Sequence, residues 1–445
     1  MRTRERSVLT LSTCEGRALW ISTVAFTACF AVWTIFAIIG IRIKAQLGLT
    51  EAEFGLLVGT PILTGSLARV FFGVWTDRYG GRAVFTLNML AASIATALLV
   101  FAQTYPQMLV AALGVGLAGG SFAIGIAYVS RFFPSGQQGT ALGIFGAGNI
   151  GAAVTKFLAP FALVAWGWHA VALIWAAALA VIALVFWFTT DDDPAFVERR
   201  RTGAAPTAYA LKLAPLRDIR VWRFASYYFF AFGGFVALAL WLPRYLIGVY
   251  GLSIETAGMV AVAYSIPASI FRAYGGVLSD RIGARAVMYW CFAVSAIATL
   301  ALSLPPTDYV MYGTHGPISA HFEIRPLMFV GIAIVLGFFM SIGKAAVYKH
   351  IASYYPDSVG AVGGLVGMIG GLGGFMLPIA FGILNQITGL WTSCFMLLFV
   401  IVLGLFAWMH ISIRREERVS QSSFVNESAA VSVASIKHSR GEAAA

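Results

Sequence analysis

Long apolar runs alternate with short polar punctuation along the whole of this 445-residue chain. Twelve runs can be bounded, first at 18–41, 54–76, 84–102, 107–130, 140–165 and 168–189. A second set follows at 222–248, 256–279, 286–305, 327–352, 359–386 and 390–412. Each approaches or exceeds the ~20 residues that a helix rising ~1.5 Å per residue needs to cross a bilayer core. The longest interruption, 190–221, divides the runs six and six. The expected fold is an all-α polytopic membrane protein with twelve transmembrane helices. Its expected parts are an N-terminal segment at 1–17, a six-helix bundle at 18–189, a linker at 190–221, a second bundle at 222–412, and a tail at 413–445. The tail is Ser/Ala-rich and charged, and is expected to be disordered.

Composition narrows the class. Residues are 59% hydrophobic and only 11% charged, with a mean hydropathy of +0.83. Soluble domains carry about a quarter charged residues, so a large soluble enzyme is excluded. The excess of Lys and Arg orients the chain. With both termini in the cytoplasm, cytoplasmic segments hold 22 of the 30 Lys and Arg, and outer segments hold only Arg42, Lys44, Arg244 and Arg325. Positive charge favours the inside, so this bias accounts for the net charge of +11 without any nucleic-acid partner. The expected location is the cytoplasmic (inner) membrane. Cys29, Cys291 and Cys394 fall within apolar runs and suit small-residue packing. No cysteine or histidine spacing suggests a metal, and no cofactor is expected.

Candidate chemistry lies inside the spans. Arg69, Lys156, Arg272 and Lys344 are all intramembrane by this partition, whereas none of the 19 Asp and Glu is deep in a span. Buried cations with no buried anion need a mobile negative partner. Arg69 and Arg272 stand at equivalent places. Each precedes by eight residues the Asp of a repeated phrase, GSLARVFFGVWTDRYGGR (65–82) and SIFRAYGGVLSDRIGAR (269–285). Eight helical residues place each arginine ~12 Å inside the loop, near the level where paired transporter halves build a shared site. The repeat extends further, to FFPSGQQGTALGIFG (132–146) and YYPDSVGAVGGLVG (354–367). No carboxylate pair, nucleophile–base set or metal cluster occupies the spans, so an enzyme is not expected.

GVWTDRYGGR and GVLSDRIGAR resemble the loop motif of the major facilitator superfamily, at the second–third and eighth–ninth helix loops. That resemblance covers essentially the whole chain and implies two six-helix pseudo-repeats. It implies gating and structural roles for Asp77, Arg78, Arg82, Asp280, Arg281 and Arg285, which would latch neighbouring helices. GIFGAGNIGAAVTKFLAP (143–160) and GLVGMIGGLGGFMLP (364–378) are similar to the paired glycine-rich signatures of the nitrate/nitrite porter family. Their Gly146, Gly148 and Gly151, and Gly367, Gly370, Gly371 and Gly374, would allow close helix packing and sliding.

From the same resemblance, Arg69 and Arg272 would clamp nitrate, Asn149 would add a hydrogen bond, and Tyr228, Phe232 and Phe122 would line the site. The chemistry agrees, because a planar guanidinium fork suits a small planar oxyanion better than an ammonium does. Lys156 and Lys344 resemble the branch associated with nitrate–proton symport and are open to a proton-coupling role. Because a monovalent anion climbs ~2.3 kcal/mol per 100 mV on entering a negative interior, uptake needs proton symport or exchange against nitrite. Symport is the expectation and nitrate/nitrite antiport the alternative. Transport of another small anion and a nitrate-responsive receptor are the further alternatives. The expected partners are nitrate, with nitrite and protons according to mechanism, and the lipid bilayer; the expected state is a monomer.

Overall fold

The computed structural model describes residues 13–203, 217–355 and 359–442. The first six helices are α1 (Cys14–Leu47, broken at residues 34–35), α2 (Glu51–Tyr79), α3 (Gly81–Leu98), α4 (Tyr105–Ser130), α5 (135–166) and α6 (168–189). A short helix, Pro194–Thr202, follows. Then come α7 (Ile219–Tyr250), α8 (254–282, bent by 42° between Ile270 and Arg272), α9 (Ala284–Ser303), α10 (Pro326–Tyr354), α11 (Val359–Thr388) and α12 (Ser393–Glu442). By length and hydropathy, ten continuous stretches among the described residues could cross a membrane, and the bent α8 makes eleven. The twelfth is hidden in the stretch Ala141–Thr189, where Gly167 (φ 80°) turns the chain between α5 and α6. This is the twelve-helix, two-repeat architecture expected from the runs.

Local signals repeat between the halves. α2 begins with a capping box in which Thr50 and Glu53 satisfy each other's backbone N–H, and α8 begins with Ser253 accepting from Thr256. The turn before α2 contains Gly48 (φ 64°) and that before α8 contains Gly251 (φ 63°). The turns after α2 and α8 pivot on Gly80 (φ 85°) and Gly283 (φ 86°), a backbone region costly for any residue with a Cβ. Equal dihedrals at equivalent places are the conformational form of the sequence repeat.

Two further features complete the fold. The loop after α9 forms an antiparallel hairpin, β1 (Thr307–Gly313) and β2 (Gly316–Phe322), turning at residues 314–315. Its Tyr, Val, Met and Ile content favours extended backbone. His321 Nδ1 lies 2.7 Å from Asp308 Oδ1 directly across the register, which raises the imidazole pKa above its ordinary value. At the other extreme of the chain, α12 continues past residue 412 to Glu442. No proline interrupts 413–442, so nothing local stops the helix from propagating.

The two ends of the bundle differ. At the end that bears the hairpin, α2 presses on α11 so closely that a Cβ at Gly59 would lie 2.8 Å from Phe375 O. There Glu51 takes two hydrogen bonds from Arg244 of α7 and sits 3.5 Å from Lys44 of α1. Arg244 also lies 4.7 Å from the Trp391 ring. At the opposite end ion pairs form within each half. Arg131 meets Asp193 at 3.1 Å, and Glu416 meets Arg223 at 3.0 Å and Arg285 at 3.4 Å.

Candidate functional site

Arg69 and Arg272 meet at mid-bundle, both buried, at 4% and 8% exposure. α2 brings Arg69 and the second segment of α8 opens with Arg272. Both approach one ring: Phe122 of α4 has the Arg69 Cζ 5.4 Å from its centroid and the Arg272 Cζ 5.2 Å from it. Further aromatic rings stand near the two arginines. Arg69 lies 5.2 Å from Phe232 and 5.6 Å from Trp33, and Arg272 lies 5.5 Å from Tyr348. Tyr228 stacks on Phe232 at 5.1 Å and 8°, and meets Tyr348 edge-on at 5.2 Å. Tyr228 and Phe232 come together through the π-helical turn Phe229–Gly234 in α7, a local widening often found at functional sites.

The polar atoms are unevenly satisfied. Arg69 Nη1 donates to Gly367 O of α11 at 2.7 Å, a bond between the halves, and its Nε reaches Gly119 O at 3.5 Å. Arg272 Nη1 is buried without a hydrogen-bond partner among the described residues. So are both amide atoms of Asn149, which is 0% exposed in the tight turn Ala147–Ile150. Buried donors left unpaired are costly, and a small anion would satisfy them.

The signature glycines do two jobs. Gly148 and Gly151 seat α5 on α1, with Cβ positions 2.5 Å from Phe26 and 2.7 Å from Ala31 N. Gly370 seats α11 on Tyr228, and Gly374 seats it on Val236 and Ile62. Gly146, Gly367 and Gly371 instead flank the guanidinium groups. A Cβ at Gly146 would stand 3.4 Å from Arg272 Cδ; one at Gly367 would stand 3.1 Å from the Tyr348 hydroxyl and 3.8 Å from Arg69 Nη1; Gly371 also packs on Ser66 of α2, with Arg69 Nη1 3.6 Å away.

Lys156 and Lys344 are buried, at 1% and 0% exposure, but donate to backbone carbonyls rather than entering the ring of residues around the arginines. Three of the loop-motif residues tie helices within each half. Arg82 donates to Trp187 O at 2.6 Å, Asp280 pairs with Lys349 of α10, and Arg285 donates to Tyr354 at 2.8 Å. Arg78 lies over Tyr79 at 5.3 Å and Arg281 is exposed. The side chain of Asp77 lies outside the described residues.

Sequence reasoning missed Trp33, Gly119 and Tyr348 around the arginines, and the Lys44–Glu51–Arg244 cluster. Trp33 and Tyr348 sit in apolar runs where one aromatic resembles another. Glu51 reads from the sequence as an ordinary helix-start acid; only its partner from α7 sets it apart.

A family model described as Major Facilitator Superfamily matches residues 21–312 and 247–441. A relative from Thermus thermophilus, named "Probable nitrate/nitrite antiporter NarK1", is 42% identical over 410 residues, covering 89% of this chain and 91% of its own length. A second, from Mycobacterium tuberculosis (strain ATCC 25618 / H37Rv) and named "Probable nitrate/nitrite transporter NarK2", is 32% identical, covering 82% of this chain and 87% of its own. Among solved structures, a bacterial homolog to human lysosomal transporter, Spinster, in an inward-facing and unoccupied conformation, aligns with a TM-score of 0.69. It covers 90% of this chain and 97% of its own length, and at 17% identity the likeness is one of fold.

Proposed function

This chain belongs to the nitrate/nitrite porter family of the major facilitator superfamily, a family of multi-pass membrane transporters, and from that premise we propose that it imports nitrate by alternating access, the anion held between Arg69 and Arg272. One observation carries the reading: two buried guanidinium groups, one from each half, approach the same aromatic ring, and Arg272 Nη1 still has a donor to give. Asn149 completes the donor set, and Tyr228, Phe232 and Phe122 keep the pocket narrow and dry, which strengthens the charge interaction. A bound anion offsets the repulsion between the two arginines and lets the halves close around it. With the termini in the cytoplasm, the Glu51–Arg244 pairing seals the outer side, and the site opens inward.

Proton symport is the coupling we favour, on the chain's resemblance to the symport branch, whatever part Lys156 and Lys344 themselves play in it. More than one proton must accompany each nitrate for the membrane potential to drive entry. The printed name of the Thermus thermophilus relative supports a second reading, exchange of nitrate for nitrite. Labelled nitrate uptake into proteoliposomes separates them. An imposed inward proton gradient is expected to accelerate uptake, and nitrite loaded inside without a gradient is not. The reverse result makes the protein an exchanger, and acceleration by neither refutes nitrate as the substrate.

A further inference from the structure

Lys156 and Lys344 point to a shared structural chemistry. Lys156 Nζ on α5 donates to Ala239 O on α7 at 3.2 Å. In an unbroken helix that carbonyl accepts from the N–H of residue 243. Here residue 243 is proline, which has no N–H and crowds the carbonyl four residues before it. Lys344 Nζ on α10 donates to Ala268 O on α8. Its helical donor would be the N–H of Arg272, but α8 is bent at that point. The backbone bonds around the bend are Phe271 N–H to Pro267 O at 3.3 Å and Gly275 N–H to Phe271 O at 2.9 Å, and the α-helical run is interrupted at Phe271, between Ile254–Ile270 and Arg272–Ile282.

A carbonyl stripped of its donor has no water to turn to inside a bilayer, so a neighbouring side chain must satisfy it. Ala268 also lies in the last turn of the segment Ile254–Ile270, where the helix dipole favours positive charge. Lys344 Nζ is further held over the Phe235 ring, 3.8 Å from its centroid.

We propose that Lys156 and Lys344 are positioning residues, each supplying the hydrogen-bond donor that a break in the neighbouring helix removes. Lys156 ties α5 to α7 across the two halves. Lys344 fixes the bend from which Arg272 emerges, and so sets the direction of that guanidinium. An amine donates to a carbonyl whether or not it carries the extra proton, so this role does not depend on the coupling mode. Only the Arg272 part rests on the anion reading above.

The test for Lys156 is a double-mutant cycle read by thermal unfolding of the purified full-length protein in detergent. Lys156→Met should lower the melting temperature by several degrees. Pro243→Ala returns an N–H to Ala239 O, so in that background the same substitution should cost less than half as much. Equal losses in the two backgrounds overturn the assignment. If Lys156→Met does not fold, Lys156→Gln, which removes the charge and shortens the reach, carries the same comparison. For Lys344, Lys344→Met should raise the nitrate KM about tenfold, the effect of one lost charged hydrogen bond. The proton dependence of the remaining uptake should be unchanged. An unaltered KM, or loss of proton dependence with KM intact, overturns the Arg272 part, the latter in favour of a proton carrier. The melting cycle needs no nitrate, so it stands or falls separately from the transport reading.

Discussion

Arg69→Lys should lower the initial rate of nitrate uptake by ~100-fold, a loss of about 2.7 kcal/mol of transition-state stabilisation, although it preserves charge. Arg69 has several tasks that an ammonium cannot combine. Its Nη1 holds Gly367 O of the opposing half at 2.7 Å while its Cζ lies 5.4 Å, 5.2 Å and 5.6 Å from the rings of Phe122, Phe232 and Trp33. The guanidinium donors not taken up by Gly367 and Gly119 would then meet an anion in a fixed direction. A lysine offers a compact, strongly hydrated charge on a flexible stem, and must choose between the carbonyl and the anion. The check is labelled uptake in proteoliposomes matched for folded protein. A rate near that of the parent would refute the clamp.

Gly151→Ala should be the most damaging single-methyl change in the α5 signature. The added Cβ would run into Thr27 O and come within 2.7 Å of Ala31 N and 3.1 Å of Phe30 Cβ, all on α1. Two of these are backbone atoms of a packed helix, which cannot rotate out of the way. Nearby, Thr155 Oγ1 donates to Ala31 O at 2.7 Å and holds the same two helices at that distance. Forcing the helices apart should cost ~1–3 kcal/mol, as overpacking does elsewhere. Gly364→Ala is the control, because a Cβ there meets nothing within 4 Å. The expected result is a lower melting temperature and reduced uptake for Gly151→Ala, with Gly364→Ala close to the parent in both. Equal behaviour of the two variants would show that the signature glycines do not act through close packing.

The helices were legible because apolar length is a one-dimensional property: a bilayer demands it of each segment separately. The repeated phrases placed Arg69 and Arg272 at equivalent depths for the same reason, since depth follows from counting residues. The sharing of Phe122 by both arginines could not be counted in this way. It depends on how α4 meets α2 and α8, and a phenylalanine in an apolar run carries no mark of what lies over its faces. Glu51 was overlooked because its partner, Arg244, is far along the chain and belongs to the other half. The two lysines were conspicuous as charges, but their hydrogen-bond acceptors were not. A backbone carbonyl becomes exceptional only through Pro243 or through a bend, and the bend of α8 has no unique sequence sign. The helix continuing beyond residue 412 escaped for a different reason: a polar, charged composition lacks a buried face but does not forbid helical backbone.

The corner between α5 and α6 has a bearing on how the protein can be handled. Gly167 alone makes that reversal, and Trp168 immediately after it donates from its indole nitrogen to Gln46 at 2.7 Å. An inserted epitope or protease site there would have to unpick both the turn and the tie to α1. The hairpin tip at residues 314–315 faces the same side of the bundle, is exposed, and closes a ladder that can lengthen without disturbing any helix. For reporters that map which side of the membrane this end occupies, the tip is the natural splice point and the glycine corner is not.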